Sequence, residues 1–554
     1  MITLSALSQA IELIHSSLKA NRVERELVQT VQAVALQRVN ADLAIRFKQP
    51  PQLVANLKDL KQHDFIDEVV CDGNYLNITF DFAKITEIVC TLIESEGPRY
   101  GKKSLNGRKV VIEHTSITPA YPINVTTFRS SVIGNALYTL FLWAGYDAKS
   151  HFWLHDGPSR HLEASGKGLL ACGLSPETAR GKSDHTIGAA FLRGAGLIPK
   201  SGGGRNEKLT LARRMFPFAD PICFSDGPPV STAGEVPSPS KIAELCLRGY
   251  EQTYQMVGIR IDNYDRDSGH NWRGQIERLV EELKRRNLLI YTEKDVRITV
   301  NTDEMVLISG PGRPSYLLRS LAYAIARQTN NTHYIGIISE RQKRIADTIE
   351  YISAQLTEPH QEDRSTFLLY GDVFVDRKPN DSIKAGVFHS VDGLVEQVAA
   401  QQRTSPAWIM HCLYFAMLGQ TTNKPMHIAT SVIQAPLKHF LGMHLEVRRL
   451  RAQAQDLEFI SLAAQVELRR MLILLWSFPD VITESAEKLR PQRITHLLWQ
   501  LRQSWSGFLR ANATMERTAR ISLMPRILGS LDQCLCNLWN CMGLEADNLL
   551  QLVG

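Results

Sequence analysis

The sequence contains no Cys-x-x-Cys pair, no uninterrupted run of about 18 apolar residues and no Gly-x-x-x-x-Gly-Lys-Ser/Thr loop. The first absence, with nine scattered cysteines, argues against a zinc ribbon or a disulfide framework and fits a reducing, cytoplasmic setting. The second argues against a membrane-spanning helix. The opening stretch, MITLSALSQAIELIHSSLKANRVE, has no basic segment leading into an apolar core, so no targeting signal is expected. The nearest approach to a phosphate-binding loop, KSGGGR at 200–205, lacks the Lys-Ser/Thr ending and reads as a surface loop.

What is present is ordinary globular material on a large scale. The 554 residues, 44% hydrophobic and 22% charged, exceed one core, and a prior of roughly 100–200 residues per domain predicts three or four domains. A net charge of +6 and a pI near 8.7 tolerate a polyanionic partner without specifying one.

Apolar residues at helical spacing predict amphipathic helices from 2 to about 34, then at 42–47 and 52–60. Residues 68–71 and 75–80, around the Asp72-Gly73-Asn74 turn, predict a hairpin, so the first domain reads as α+β over 1–105, closing in the polar stretch 96–108. A strand at 109–113 and an apolar helix at 129–145 follow. Further strands at 288–291, 296–300, 305–309 and 334–339, with helices at 272–286 and 317–327, predict an open, nucleotide-binding type of α/β sheet. This core spans 106–400, with an insertion near 160–250. From 406 onward the pattern is nearly all helical, ending in candidates at 490–511 and 516–542. The last domain, 401–554, reads as an all-α bundle, with Cys534, Cys536 and Cys541 as core residues of its final helix.

Specific strings then point to one family. Residues 110–135 read VVIEHTSITPAYPINVTTFRSSVIGN. Without a gap they resemble the arginyl-tRNA synthetase string VVVE-[FY]-SSPN-x-A-K-x-x-H-[VI]-G-H-LRS-x-x-IGD/N. SYLLRSLAYAI at 315–325 is similar to LYATRDLAAAI, SERQ at 339–342 to the family's D-x-x-Q, and FPDV at 478–481 with LRPQRI at 489–494 to its anticodon-binding bundle. The resemblance covers nearly the whole chain. It implies an N-terminal tRNA-elbow-binding-like α+β module, a Rossmann-like class I core and a C-terminal all-α anticodon-binding-like bundle.

It also implies a chemistry that this chain has altered. The family's HIGH motif sets two imidazoles and a close-approaching Gly at a helix N-terminus to hold ATP. Here those positions are Asn124, Val125, Thr126 and Thr127. The KMSKS-like loop falls on 380–385, where Ser382 and Lys384 stand, Lys384 is the one cation left and Asp381 adds a repelling charge. The resemblance implies ATP as cofactor, and two dismantled motifs argue against a working ATP site, with Arg377 and Lys378 the nearby cations that remain. Of the amino-acid pocket, Glu113, Tyr316 and Gln342 match the family, while an Asn has become Thr118 and the guanidinium-facing Asp has become Ser320. A hydroxyl cannot replace the bidentate carboxylate a buried guanidinium needs.

For tRNA, Tyr75 and Asn77 match an elbow-contacting aromatic and amide, and Arg490 and Arg493 belong to an Arg-rich C-terminal set able to follow a phosphate backbone. The same residues serve equally as strand alternation and a solvated helical face. No metal is expected, because His151, His155 and His161 with Asp156 match no zinc spacing. Taken together these features predict a family member that does not charge tRNA with arginine but keeps the scaffold and a grip on tRNA, as a regulatory or partner subunit. The alternatives are an enzyme using another amino acid or an aminoacyl-tRNA, a protein-interaction scaffold, and a divergent arginine-charging enzyme.

Overall fold

The computed structural model describes residues 28–33, 42–47, 63–157, 159–175, 177–198, 205–225, 235–269, 271–300, 302–310, 312–327, 332–356, 365–376, 378–379, 388–453, 459–514, 519–520 and 523–552. The chain forms two compact units. One comprises 107–142 and 146–436, the other 1–106, 143–145 and 437–554.

The larger unit is built on five parallel strands: β1 (Lys109–Ile117), β2 (Asp147–Leu154), β3 (Asn263–Arg266), β4 (Thr332–Ser339) and β5 (Ser365–Tyr370). Their spatial order is β5-β4-β1-β2-β3. After β1 the chain lays β2 and β3 to one side, then returns to lay β4 and β5 on the other. The order therefore reverses between β1 and β4, and the carboxyl ends of those strands open a crevice.

β1 forms because KVVIEHTSI is rich in β-branched residues and is covered on both faces. The helix after it, α1 (Val125–Trp143), is apolar nearly all round and packs on β1. Gly134 permits that contact, since a Cβ there would lie 1.9 Å from the Cβ of His114. His114 itself bonds Thr115 and Ser150, and burial pushes its pKa down to about 3, so it is a neutral core residue.

Strands Leu289–Tyr291, Asp295–Val300, Asp303–Ser309 and Arg313–Pro314 do not join this sheet, contrary to the open-sheet expectation. They form a separate antiparallel sheet. The two or three residues between them close hairpins, whereas a parallel neighbour needs a crossover of about a dozen. Ile298, Val300 and Leu307 carry this sheet into one core with Leu279 and Leu283 of the helix Asn271–Arg285 and Leu317, Leu318 and Leu321 of a second helix, α2 (Tyr316–Arg327).

In the smaller unit a four-stranded antiparallel sheet runs 28–33, 43–47, 75–80, 66–72 in spatial order. The helical reading fails at Val28–Ala33 and Leu43–Phe47, which are strands pairing Val31 with Ile45 and Ala33 with Leu43. Leu-Ala-Ile-Arg-Phe alternates with period two, and β-branched Val28 and Val31 favour strand. The remaining N-terminal helix expectations lie outside the described residues. The hairpin forms with Gly73 at φ 54°. Helix Phe82–Glu96 packs with Leu462–Glu487 and Met524–Cys541 of the C-terminal bundle, and Tyr100 donates to the Leu475 carbonyl at 2.9 Å. The last long helix starts at Met524 rather than 516, with Pro525 in its first turn, where a proline costs no hydrogen bond. It buries Cys534 and Cys541. Among the described residues no helix is long and apolar enough to cross a membrane.

Candidate functional site

The crevice at the ends of β1 and β4 gathers four of the five expected pocket residues. Glu113 lies in β1, Tyr316 opens α2 at its first residue, Ser320 is one turn on, and Gln342 ends the 3-10 turn after β4. The Tyr316 hydroxyl sits among the side chains of Ser320, Ser116 and Gln342, and burial raises its pKa. Thr118, half-buried just past β1, accepts the Ala120 amide through its carbonyl at 2.9 Å.

Below them lie acidic clamps that sequence reasoning missed. Asp265 and Asp267 bracket the end of β3 two residues apart and face the same way. Asp265 accepts from His151 Nδ1 at 2.7 Å, from Tyr323 at 2.5 Å and from the Arg327 guanidinium. Asp267 accepts from Trp153 Nε1 at 2.8 Å, His155 Nδ1 at 3.1 Å and Arg319 at 2.9 Å. Burial alone would raise both carboxyl pKa values, but the bonds from His151 and His155 and the charges of Arg327 and Arg319 hold them low. His155 Nε2 accepts from Ser116 at 2.8 Å, and Trp153 stacks on Tyr323 with centroids 4.5 Å apart. The third acid, Asp156, is bonded by the Ser268 amide and hydroxyl. His161 packs on Phe191 instead, so only His151 and His155 of the three histidines close in sequence join the Asp265 and Asp267 pair.

Every carboxylate of this cluster except one is thus spent on the chain's own donors. The exception is Glu113, 2% exposed, whose Oε2 accepts from Tyr334 at 2.6 Å while Oε1 has no partner. Burial pushes its pKa up to about 8, with nearby Asp265 adding to the rise. The buried Ser320 Oγ faces the Tyr316 hydroxyl.

The HIGH-position residues make bonds and packing contacts within the chain. Asn124 caps α1, its Oδ1 accepting the Thr127 amide at 2.7 Å. Val125 is fully buried, and Thr126 Oγ1 accepts the Val373 amide at 3.2 Å. Asn124→Ala is expected to cost about 1 kcal/mol in urea unfolding, the usual loss of an N-cap. An unchanged midpoint would contradict that assignment. The positions of Ser382 and Lys384 lie outside the described residues, and Lys378 is described only as backbone, paired with Val375.

The tRNA candidates divide. Tyr75 is 43% exposed on its strand, whereas Asn77 is buried opposite Val70 and Ala44. Arg493 pairs with Glu484, and Arg490 is exposed with no ion pair among the described residues. Of the other arginines, Arg470 meets Glu467, Arg526 meets Glu94, and Arg502 donates to His439 at 3.0 Å. Missed from sequence was Trp499, 46% exposed on the helix Gln492–Thr514.

The parallel sheet with its reversal between β1 and β4, the helix start at Asn124 and the all-α C-terminal bundle make up a class I aminoacyl-tRNA synthetase fold. No protein-family model matches the chain. The arginine–tRNA ligase of Methanothermobacter thermautotrophicus is 20% identical over 552 residues, spanning 92% of this chain and 91% of its own. That of Ignicoccus hospitalis is 22% identical over 595 residues, spanning 93% and 92%. The arginyl-tRNA synthetase of Thermus thermophilus superposes with TM-score 0.73 at 16% identity, over 98% of this chain and 99% of that one. The Plasmodium falciparum enzyme gives 0.66 at 12% identity, over the same shares. The chain is thus similar over nearly its whole length to arginyl-tRNA synthetases and shares their fold.

Proposed function

We propose that this chain keeps the arginyl-tRNA synthetase scaffold without charging tRNA with arginine, and acts by holding tRNA as a regulatory or partner subunit. One observation carries the reading: the acidic positions near the pocket are already bound by the chain's own cations and donors. Arg327 takes Asp265, Arg319 takes Asp267, and Ser320 offers only a hydroxyl. A free guanidinium entering this space would lose water without gaining a bidentate carboxylate. The capping role of Asn124 and the Thr126 bond to Val373 support the same reading, because both side chains are engaged in holding the helix start and neither carries the charge of an imidazolium.

Arginine-dependent ATP–pyrophosphate exchange and charging of total tRNA test it directly. Removing one charge-stabilising donor commonly costs about 10²–10³ in rate, so the combined changes predict exchange at least about 10⁴-fold below an ordinary synthetase. Activity within about a hundredfold of one would overturn the reading. RNA bound to protein purified from its own host is expected to be tRNA. Exposed Arg490 and Trp499 offer a phosphate contact and a stacking face, so Arg490→Glu with Trp499→Ala is expected to weaken tRNA binding and flatten its salt dependence.

A second reading has its own support. Glu113 Oε1 is a buried polar atom without a partner, a position against which a neutral amino acid could place a complementary polar group. Exchange dependent on a neutral amino acid, and abolished by Gln342→Ala, would favour this enzyme over the non-catalytic subunit.

A further inference from the structure

The larger unit holds a cavity of about 480 Å³ away from the residues gathered at the sheet ends. It lies between the helix Pro239–Gln255 and the helix Val391–Gln402, the latter following the segment that stands in the KMSKS position. Its walls are largely apolar: Phe218, Met256, Val395 and Pro406. A volume of this size within the usual few-hundred-Å³ range suits a small organic molecule.

The polar groups of this cavity decide what that molecule must be. Lys182 points its ammonium at Asp184 (2.9 Å), Thr253 (2.8 Å) and Asp392 (3.0 Å). An ammonium has three N–H donors, so none remains for a ligand. Asp184 is fully buried with both oxygens on Lys182, and the helix bearing Gly249 fits against it because a Cβ there would lie 2.2 Å from Asp184 Oδ1. The set Asp184, His185 and Asp392 has the spacing of a metal site, but Lys182 already supplies the cation between the two carboxylates.

Acceptors, by contrast, are in surplus. Asp392 Oδ1 accepts only from Thr253, at 3.0 Å, which leaves it a lone pair. Glu396 follows Asp392 by four residues on the same helix, so both carboxylates face one way, and Glu396 has no hydrogen bond or ion pair among the described residues. With Asp392 and Glu396 against Lys182, and Asp184 buried behind it, the lining and its backing carry more negative than positive charge. A cationic donor complements it, and the only side-chain N–H that this lining leaves for an anion is the neutral amide of Gln252.

We propose that this cavity is a binding site for a small organic ammonium, a primary or secondary amine on a compact apolar body, seated against Asp392 and Glu396. Such a ligand braces the helix Val391–Gln402, and with it the chain entering from the KMSKS-position segment. The site is independent of the amino-acid pocket and of the reading above.

Benzylamine is the probe, with benzyl alcohol and benzoate as neutral and anionic counterparts of the same shape. Calorimetric titration of the full chain should give saturable benzylamine binding with a Kd at or below about 1 mM. Benzyl alcohol and benzoate should bind at least tenfold more weakly. Methyl-labelled methionine spectra locate the event: the Met256 resonance, assigned through Met256→Leu, should shift with benzylamine. Glu396→Gln alters an exposed side chain with no bonds to lose, and it should weaken benzylamine about three- to tenfold. Benzyl alcohol binding within twofold of benzylamine, an unchanged Kd in Glu396→Gln, or a stationary Met256 signal would each overturn the assignment.

Discussion

Replacing Glu113 by Gln is expected to abolish a steep loss of core stability between about pH 5 and pH 8. The ordinary carboxyl pKa is 4.5, and burial in β1 pushes that of Glu113 up to about 8. Between those values the folded chain holds the proton and the unfolded chain has released it. Stability is then fully present below about 4.5 and falls by roughly 1.4 kcal/mol for each unit of rising pH until about 8. Gln keeps the shape and can still accept from Tyr334, but carries no charge to bury. At pH 5 the variant should match the parent within about 1 kcal/mol, and at pH 8 it should be more stable by a few kcal/mol. Hydrogen exchange of the β1 and β4 amides against pH measures this on the sheet itself. Parallel curves for parent and variant would show that Glu113 is ionised in the folded core. The same proton bears on function, because a protonated Oε1 offers a ligand a donor and an ionised one offers only acceptors.

The strings carrying the family resemblance were legible because they combine spacing with rare residue types, and they placed Glu113, Tyr316, Ser320 and Gln342 in one crevice. Much of what surrounds that crevice was not legible. Asp265 and Asp267 matter through Arg327 and Arg319, 62 and 52 residues away, and a period-two Asp pair in a short strand gives no sign of which cations it will meet. The signal that was available is the spacing itself: two acids two residues apart, at and just past the end of a sheet strand, face the same way and, where covered, must find partners. Asn124 could have been read as a cap from its position before an apolar helix, since Asn is among the preferred N-cap residues.

The element errors have equally local causes. Strands 289–309 show the same β-branched composition as β1, and composition does not distinguish a hairpin from a crossover strand. The length of the connections does, because two or three residues cannot carry a parallel return. At 28–33 and 43–47, helical and strand periods overlap over five or six residues, too few for periodicity to decide.

Arg129→Ala is expected to cost about 3–5 kcal/mol, and the loss should begin at one place. Arg129 is fully buried, yet no carboxylate bonds it. Its guanidinium donates instead to three backbone carbonyls: Gly371 at 2.9 Å, Lys424 at 2.8 Å and Thr421 at 3.0 Å. Burial pulls its pKa down to about 10, still charged at neutral pH. Truncation leaves three desolvated acceptors, and Met should do no better than Ala because an apolar chain satisfies none of them. Lys, a point donor without the planar fork, should recover less than half of the loss. The carbonyls belong to the segment after β5 and to the turn before the strand Met426–Ile428, which pairs with Val373–Val375. Thr126 Oγ1 holds the Val373 amide from the same helix, so the first two turns of α1 pin this small sheet. Hydrogen exchange should therefore open first at the amides of Gly371, Val373 and Met426, ahead of the parallel sheet. A cost below about 1 kcal/mol, or exchange rising evenly across the unit, would remove Arg129 as the pin. The residue matches the family's Leu-Arg-Ser string, and its three carbonyl bonds assign it a structural task. That task stands beside Asn124, Thr126 and Thr127: together they bind the helix start to the strand that leads into the KMSKS-position segment.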